Sequence, residues 1–494
     1  MQKNAPIFNY YKQSIPILTD FYQLTMAYSF WKTKLQNQEA VFHLFFRKSP
    51  FQGGFTIAAG LEYVIDLLDN FHFDPSDLAY LEQMRNSNNE IYFSSEFLDY
   101  LSKLRFSGNI DAMPEGTVVF PYEPLLRIQG PLIECQLLES IFLNLINFSS
   151  LIATKSARIN IAAGGEPVFE FGLRRAQGID GSLIASRAAY IGGCQGTSNV
   201  AAGRIFGIPL IGTQAHSWIM IFDEELDAFQ EYARVLPDNC IFLVDTYNTL
   251  EGVKKAIQVG NWLKSQGKKM LGIRLDSGDL ADLSIKCRSL LDQEGFTDTK
   301  IIASNDLDED IISELKRQNA QITNWGVGTS LVTGKNQSAL DGVYKLSAIR
   351  NLGDKWRYKL KLSEQMMKVS NPGILQVRRY YSDIGNIGDV IYDIDQVPTE
   401  YCRIVDCSDF TKQKILKKGL FSRDLLQPIF RSGKRIYEQP SLNEIRQTTQ
   451  RELSGFSNEV KKILNPHLYE VGIEESLHNL KMNLIKNIRD RTLK

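Results

Sequence analysis

Histidine and cysteine are scarce in this chain, with five and six residues among 494. The histidines show no HxxxH spacing and the cysteines no CxxC spacing, so the sequence predicts no zinc site and no direct protein ligands for a metal. The six cysteines stand singly in a long chain, whereas a small secreted domain carries a dense cysteine framework. We therefore expect reduced, mostly buried thiols.

An excess of charge is also missing, because 56 lysine and arginine residues face 57 aspartate and glutamate residues. Balanced charge gives no indication of a nucleic-acid partner. No apolar run is long enough to span a membrane, and the start, MQKNAPIFNYYKQSIP, has neither a signal-peptide nor a transit-peptide pattern. These absences predict a cytoplasmic protein that binds neither nucleic acid nor membrane.

The middle of the chain, from Pro167 to Ala348, alternates short β-rich apolar runs with helical stretches, a pattern typical of βα units around a parallel sheet. Since 494 residues exceed what one core usually organises, we predict an α/β fold of more than one unit. An irregular parallel βα barrel, residues 141–348, is accompanied by an α+β domain built from the N-terminal residues 1–140 and the C-terminal residues 349–494. The predicted strands are PVFEFG (167–172), PLIGT (209–213), IFLVDT (241–246), LGIRLDS (271–277), KIIASND (300–306), NWGVGT (324–329) and GVYKLSA (342–348).

Most of these runs end in polar or glycine residues. In a βα barrel the carboxyl ends of the strands surround the active site, so these residues are expected to converge there. The six ends are FGLRR (171–175), GT (212–213), DT (245–246), RLDSG (274–278), SND (304–306) and GVGT (326–329).

The residue types at these ends favour an acidic, phosphorylated ligand. Arg174, Arg175 and Arg274 offer forked donors for carboxylate or phosphate, and a glycine-rich turn lets backbone N–H groups approach an oxyanion. The GVGT turn is equally compatible with a tight connection that binds nothing. Asp276 and Asp245 could hold ribose hydroxyls or water around a magnesium ion, or could serve as helix N-caps.

His216 follows the end of the run 209–213 by three residues. A neutral imidazole at the active site can attack a phosphoryl group. A single histidine is also compatible with a purely structural role, and spacing alone leaves both interpretations open.

Eight ordered motifs carry a family resemblance: LTDFYQLTMAYSF (18–30), FRKSPFQGGFTIAAGLE (46–62), FEFGLRRAQGIDG (169–181), GTSNVAAGRIFGIPLIGTQAHSW (196–218), GIRLDSGDLA (272–281), ASNDLDE (303–309), GVGTSLVT (326–333) and GVYKLSAI (342–349). The chain resembles nicotinate phosphoribosyltransferases, which are type II phosphoribosyltransferases. The resemblance implies an enzyme that joins nicotinate to 5-phosphoribosyl 1-diphosphate while hydrolysing ATP. The implied cofactors are ATP and Mg²⁺, with the magnesium brought by the diphosphate.

The resemblance also implies roles for individual residues. His216 is the histidine that ATP phosphorylates, and Asp276 and Arg274 act beside it in catalysis. Nicotinate is bound by Tyr22, Phe171, Arg174, Ser198, Thr213 and Arg274, with Tyr22 and Phe171 stacking on the ring. Phosphoribosyl diphosphate is bound by Arg175, Asp245, Ser277, Gly278, Ser304, Asn305, Gly326, Gly328 and Thr329, and Lys345 is a further candidate.

Nicotinamide phosphoribosyltransferases share several of these motifs and are the nearest alternative. In those enzymes the position of Ser198 is an aspartate that accepts from the amide, and such a carboxylate would repel nicotinate. Serine there favours the acid as substrate. An aldolase or isomerase barrel would need a Schiff-base lysine or an acid/base glutamate at a strand end. A catalytically silent scaffold would bind its ligand without turnover.

The resemblance further implies a homodimer with the active site at the interface, where Tyr22 reaches across from one subunit to the other. Tyr22 is also compatible with ordinary packing within one chain.

Overall fold

The computed structural model describes residues 15–364, 369–398 and 401–492. It divides the chain into two compact units. The central unit is Ile152–Ser338, and the other unit takes the described residues of Met1–Leu151 and Ala339–Lys494. The expected α/β class with a parallel sheet is confirmed, and the boundaries lie at 151/152 and 338/339 where joints near 140 and 348 were predicted.

The central unit is built on one parallel sheet. Its six strands, in spatial order, are Gly196–Thr197, Val168–Glu170, Asn324–Val327, Lys300–Ala303, Gly272–Leu275 and Ile241–Leu243. Within this described region the order is open, since its two edge strands do not pair with each other, so the barrel is not confirmed. The predicted run 209–213 adds one bridge, between Leu210 and Thr197. Pro209 has no N–H to donate to a longer ladder.

The run 342–348 was wrongly assigned to this sheet. The strand Val343–Asn351 pairs antiparallel with Gln38–Phe45 and belongs to the other unit. An apolar run shows that a strand is buried but does not show which strand it pairs with, and here the partner lies some three hundred residues earlier in the chain.

Helices follow the strands of the central unit, and three of them begin at side-chain caps just beyond a strand end. Asn248, Asp279 and Asp308 each accept a hydrogen bond from a backbone N–H of the first helical turn. Because each cap lies a few residues beyond a strand end, short loops remain between strand and helix along one edge of the sheet. The helices are Gly178–Ile191, Val200–Phe206, His216–Met220, Glu225–Val235, Thr249–Ser265, Leu280–Gln293, Glu309–Arg317 and Thr329–Val332.

The other unit contains two larger sheets and a short two-stranded ladder, Thr56–Ile57 with Val118–Val119. One sheet has the order Arg357–Tyr358, Val343–Asn351, Gln38–Phe45, Leu126–Pro131, Asn109–Ala112, Gln427–Arg431 and Lys434–Arg435. The other has the order Gln413–Leu416, Cys402–Asp406, Val471–Glu474, Gly385–Asp393, Leu375–Ser382 and Phe421–Asp424.

Eight helices described in that unit are Phe21–Lys32, Leu61–Asp69, Pro75–Gln83, Ser95–Lys103, Leu132–Leu137, Leu442–Ser454, Asn458–Lys461 and Glu475–Thr492, while Glu139–Ala163 contains the boundary at residue 151. All six cysteines are buried free thiols, as expected. Within the described ranges, no helix combines the length and the apolar character needed to cross a bilayer.

A buried charge cluster stabilises the second unit around Arg379, whose side chain is fully buried. Its guanidinium donates to Asp389 at 2.6 Å and to Glu452 at 3.0 Å. Burial and the neighbouring charge of Asp389 raise the pKa of Glu123 well above its ordinary value. We therefore expect Glu123 to be protonated at neutral pH, which keeps a third negative charge out of the cluster.

A folded-state pKa above the unfolded value means that the folded protein binds the proton more tightly. The stability that this proton contributes is fully present below about pH 4.5, the ordinary value, and decreases as the pH rises through the raised pKa. We expect the Tm of Glu123→Gln, which cannot ionise, to fall less between pH 6 and 9 than that of the parent. Thermal unfolding across that range tests this, with the exposed Glu82→Gln as the control. Equal slopes in all three proteins would contradict it.

Candidate active site

A cavity of about 500 Å³ opens at the carboxyl edge of the parallel sheet. Thirteen of the residues that the sequence singled out line it: Phe171, Arg174, Arg175, Ser198, Thr213, His216, Arg274, Asp276, Ser304, Asn305, Gly326, Gly328 and Thr329. They lie at the carboxyl ends of five strands and of the run 209–213, or in the loops that follow. The expected convergence of the strand ends is therefore present, although the pairing order of the strands is open.

Arg274 forms hydrogen bonds to side chains and backbone from three different parts of the cavity lining. It lies on the strand Gly272–Leu275, and its Nε donates to the Ser304 hydroxyl at 2.8 Å. One terminal nitrogen donates to the Thr213 hydroxyl at 3.0 Å and to the carbonyl of Gln214 at 3.4 Å. The other donates to Asp276 at 2.7 Å. A guanidinium has five N–H groups, so these four contacts leave one donor for a ligand.

The residues around Asp276 lower the pKa of its carboxyl group. Burial alone would raise its pKa, but the hydrogen bond from Ser304 and the charge of Arg274 outweigh burial and hold the pKa below its ordinary value. Asp276 is therefore ionised at neutral pH. Its second oxygen lies 3.7 Å from Nε2 of His216.

His216 begins the short helix His216–Met220, and about 40% of its side chain is exposed to the cavity and solvent. Its Nδ1 lies 3.1 Å from the hydroxyl of Thr246. The two ring nitrogens thus face different partners, a hydroxyl at Nδ1 and a carboxylate at Nε2. An Nε2–H that faces Asp276 leaves the lone pair on Nδ1.

Three further predicted residues do not line the cavity. Asp245 is buried, and its Oδ2 accepts from the backbone N–H of Asp276 at 2.8 Å and from the Ser277 hydroxyl at 2.7 Å. Gly278 takes a left-handed conformation, with φ at +80°, in the turn before the helix Leu280–Gln293. This group supports the loop that carries Asp276.

Phe171 presents its ring to the cavity because its neighbours are glycines. A Cβ at Gly326 would lie 2.6 Å from the Phe171 ring, and one at Gly172 would lie 2.3 Å from Val332. Both distances are too short for a real Cβ contact, so a side chain at either glycine would displace the ring or its loop.

Arg174 and Arg175 lie on the exposed turn Leu173–Arg175. Among the described residues, neither guanidinium has a hydrogen bond or an ion pair. Both are therefore available to an anion in the cavity.

Two predicted candidates, Tyr22 and Lys345, belong to the other unit. Tyr22 lies on the helix Phe21–Lys32 and is 49% exposed. Lys345 lies on the strand Val343–Asn351, where its Nζ donates to the carbonyl of Tyr344 at 2.7 Å.

Several residues at the site were missed from the sequence. Gln214 is 4% exposed, yet neither polar atom of its amide has a hydrogen-bond partner among the residues that the structure describes. Thr246 contacts His216, and Glu170 lies buried beneath the Phe171 loop. Thr246 was not missed in the same sense, because it belongs to the strand end 245–246 that was predicted to converge on the site, although no role was assigned to it. Ala215 and Leu243 also line the cavity and were missed, whereas the lining residues Leu173, Gly212 and Asp306 belong to strand ends that were predicted to converge there.

Three protein-family models match stretches that together span most of the chain. The model described as "Nicotinate phosphoribosyltransferase (NAPRTase) family" matches residues 167–359. The models of the N-terminal and C-terminal domains of that enzyme match residues 17–147 and 375–481. A Bacillus subtilis protein named nicotinate phosphoribosyltransferase is 41% identical over 492 residues, which covers 98% of each chain. A Homo sapiens protein of the same name is 31% identical, over 94% of this chain and 96% of its own length.

The same similarity is present in three dimensions. The crystal structure of human nicotinic acid phosphoribosyltransferase superposes with a TM-score of 0.81 at 28% identity, covering 94% of this chain and 99% of that one. A Pyrococcus furiosus nicotinate-nucleotide pyrophosphorylase superposes with a TM-score of 0.67 at 23% identity, which shows a shared fold.

Proposed function

The chain belongs to the nicotinate phosphoribosyltransferase family, and on this premise we propose that its cavity joins nicotinate to 5-phosphoribosyl 1-diphosphate. The products are nicotinate mononucleotide and diphosphate, and the reaction is the first step of NAD synthesis from nicotinate. One observation carries the proposal: Arg274 keeps a free N–H donor in the same cavity as the Phe171 ring and the unpaired Arg174 and Arg175.

The lining suits each part of this reaction. The pyridine ring stacks on Phe171, and its carboxylate accepts from Arg274. The bond between ribose C1 and the diphosphate oxygen breaks while the pyridine nitrogen bonds to C1. Arg174 and Arg175 match the charge that develops on the departing diphosphate, and the loops of Ser304 and Gly326 hold the sugar phosphate. Positioning and electrostatics supply most of the catalysis.

We further propose that ATP phosphorylates His216 and that the phosphorylated site binds phosphoribosyl diphosphate productively. The surroundings of its two ring nitrogens support this role. Asp276 faces Nε2 and favours the tautomer with its proton there, which makes Nδ1, beside the Thr246 hydroxyl, the nucleophilic nitrogen. We propose that the magnesium ion is carried into the site by the diphosphate. When bound, the ion would neutralise phosphate charge, and Asp276 would hold water around it.

A homodimer that works in the cytoplasm completes the proposal. Tyr22 and its neighbours Leu18 and Phe21 are each close to half exposed, which leaves an apolar face for the partner subunit to cover. The six free, buried thiols fit a reducing compartment.

The alternatives are less well supported. Relatives at 31–41% identity carry the nicotinate name, so the nicotinamide reaction is not favoured. A silent scaffold is disfavoured by the linked set of His216, Asp276 and Arg274.

The proposed reaction is tested with purified protein, labelled nicotinate, phosphoribosyl diphosphate and magnesium, with and without ATP, and then with nicotinamide in place of nicotinate. We expect labelled mononucleotide from nicotinate, and more of it with ATP. No mononucleotide from nicotinate would refute the activity, and faster use of the amide would refute the assigned substrate.

Ser198 is expected to set the choice between the acid and the amide, because it lines the cavity with a neutral hydroxyl. In Ser198→Asp, repulsion of the nicotinate carboxylate should lower kcat/KM for nicotinate by roughly 10- to 100-fold, or about 1.4–2.8 kcal/mol, while that for nicotinamide rises or holds. Steady-state kinetics with both substrates measures this. Ser198→Asn, of the same size but uncharged, is the control, and an equal loss in both variants would assign the effect to size.

A further inference from the structure

Glu170 is a carboxylate with no exposed surface, at the carboxyl end of the strand Val168–Glu170. Its Oε1 accepts from the backbone N–H of Gly172. Its Oε2 accepts from the hydroxyl of Ser186 at 2.8 Å and from the hydroxyl of Thr197 at 2.5 Å. The contacts described for it are thus all with uncharged donors.

Asn199 sets the direction of these hydrogen bonds. Its backbone N–H donates to the Thr197 oxygen at 2.9 Å, and its side-chain amide donates to the Ser186 oxygen at 3.3 Å. Each hydroxyl oxygen therefore already accepts. The Thr197 proton points to Glu170, whereas the Ser186 proton is shared between Glu170 and the carbonyl of Ser182 at 2.9 Å. The surrounding donors therefore require a hydrogen-bond acceptor at both side-chain oxygens of residue 170.

The two loops that meet at this carboxylate are both cavity loops. Gly172 follows Phe171 and precedes Arg174, while Thr197 precedes Ser198. The backbone adds a second link, because Ser198 N–H donates to the Glu170 carbonyl at 2.9 Å. None of the cavity-lining atoms belongs to Glu170 itself.

We infer that Glu170 is a positioning residue for the pyridine substrate. It fixes the Phe171 ring and the Ser198 hydroxyl relative to each other. Stacking by Phe171 and the choice of nicotinate over nicotinamide by Ser198 then act on the same bound pyridine ring. The inference rests on the proposed function, since it takes nicotinate as the ligand of those two residues. It assigns Glu170 no contact with substrate.

The sequence offers a matched control just before the same strand. Glu166 precedes the strand, accepts from Lys316 at 2.6 Å and from the Trp325 indole at 2.8 Å, and supports the opposite end of the sheet. Glu166→Gln removes a carboxylate from the same segment without touching the cavity loops.

The test compares Glu170→Gln, Glu166→Gln and the parent by steady-state kinetics and thermal unfolding. In Glu170→Gln an NH2 group replaces one acceptor, so either the Gly172 N–H or the Thr197 hydroxyl loses its partner and the loops lose their common anchor. We expect the KM for nicotinate to rise at least about tenfold and selectivity over nicotinamide to fall, while the KM for phosphoribosyl diphosphate changes less than threefold. Glu166→Gln should lower the Tm and leave both KM values unchanged.

A second variant keeps the test decisive if Glu170→Gln fails to fold. Thr197→Val removes one donor at nearly constant shape and should raise the KM for nicotinate in the same direction, and adding it to Glu170→Gln should cost less than the sum. Equal loss of Tm in the Glu170 and Glu166 variants with an unchanged KM for nicotinate would overturn the inference and leave the proposed function standing. A parent protein that makes no mononucleotide would overturn both.

Discussion

Arg274→Ala is expected to abolish most of the activity, lowering kcat/KM for nicotinate by roughly 30- to 4000-fold. The estimate follows from about 2–5 kcal/mol for removing one partner of a hydrogen-bonded, partly buried charge pair. The variant loses four contacts at once, to Ser304, Thr213, Gln214 and Asp276. Asp276 is then left without its cation, so its pKa should rise and the acid limb of the pH–rate profile should move upward. Steady-state kinetics from pH 5 to 8 measures both effects.

Two variants make that result specific to the site. Arg274→Lys keeps the charge but offers one ammonium in place of the planar fork, so it should recover less than a tenth of the lost activity. Arg317→Ala removes an exposed arginine whose partner is Glu314, and it should change kcat/KM less than twofold. Full activity in Arg274→Lys would show that the fork geometry is unimportant.

Local sequence features predicted much of the site. Apolar runs located the strands to within a few residues, and the polar ends of those runs identified most of the cavity lining, including Phe171, Arg274 and Thr329. This succeeds because a parallel sheet brings the carboxyl ends of its strands to one edge, wherever each strand lies in the order.

Features that depend on distant pairing were not predictable in the same way. The strand Val343–Asn351 has the composition of a central strand but pairs with Gln38–Phe45. The caps of the helices that follow Asp245 and Asp276 are Asn248 and Asp279, because several neighbouring polar residues compete for each helix start. Glu170 was missed for a different reason: a glutamate in a strand reads as a surface residue until the hydroxyls of Ser186 and Thr197 are seen around it.

His216→Ala is expected to retain slow synthesis of the mononucleotide and to lose its stimulation by ATP. Coupling between two sites is typically worth about 1–3 kcal/mol, so kcat/KM with ATP should fall by roughly 5- to 150-fold, to the rate without ATP. The Phe171 ring, Arg274 and Ser198 remain in place, and for this reason the basal reaction survives. Initial rates with and without ATP, together with phosphate release per mononucleotide formed, measure the uncoupling.

Two control variants test whether the loss of ATP stimulation comes from the missing phosphoryl acceptor at His216. His467→Ala removes an exposed histidine that faces Glu459, and it should leave the ATP stimulation unchanged. Thr246→Val keeps the imidazole but removes the hydroxyl that orients its ring at Nδ1, so phosphorylation should become slower without being lost. Acid-labile label from ATP should be found on His216 in the parent and in Thr246→Val, and no such label should form in His216→Ala. Unchanged ATP stimulation in His216→Ala would remove this histidine from the coupling, whatever the fate of the basal reaction.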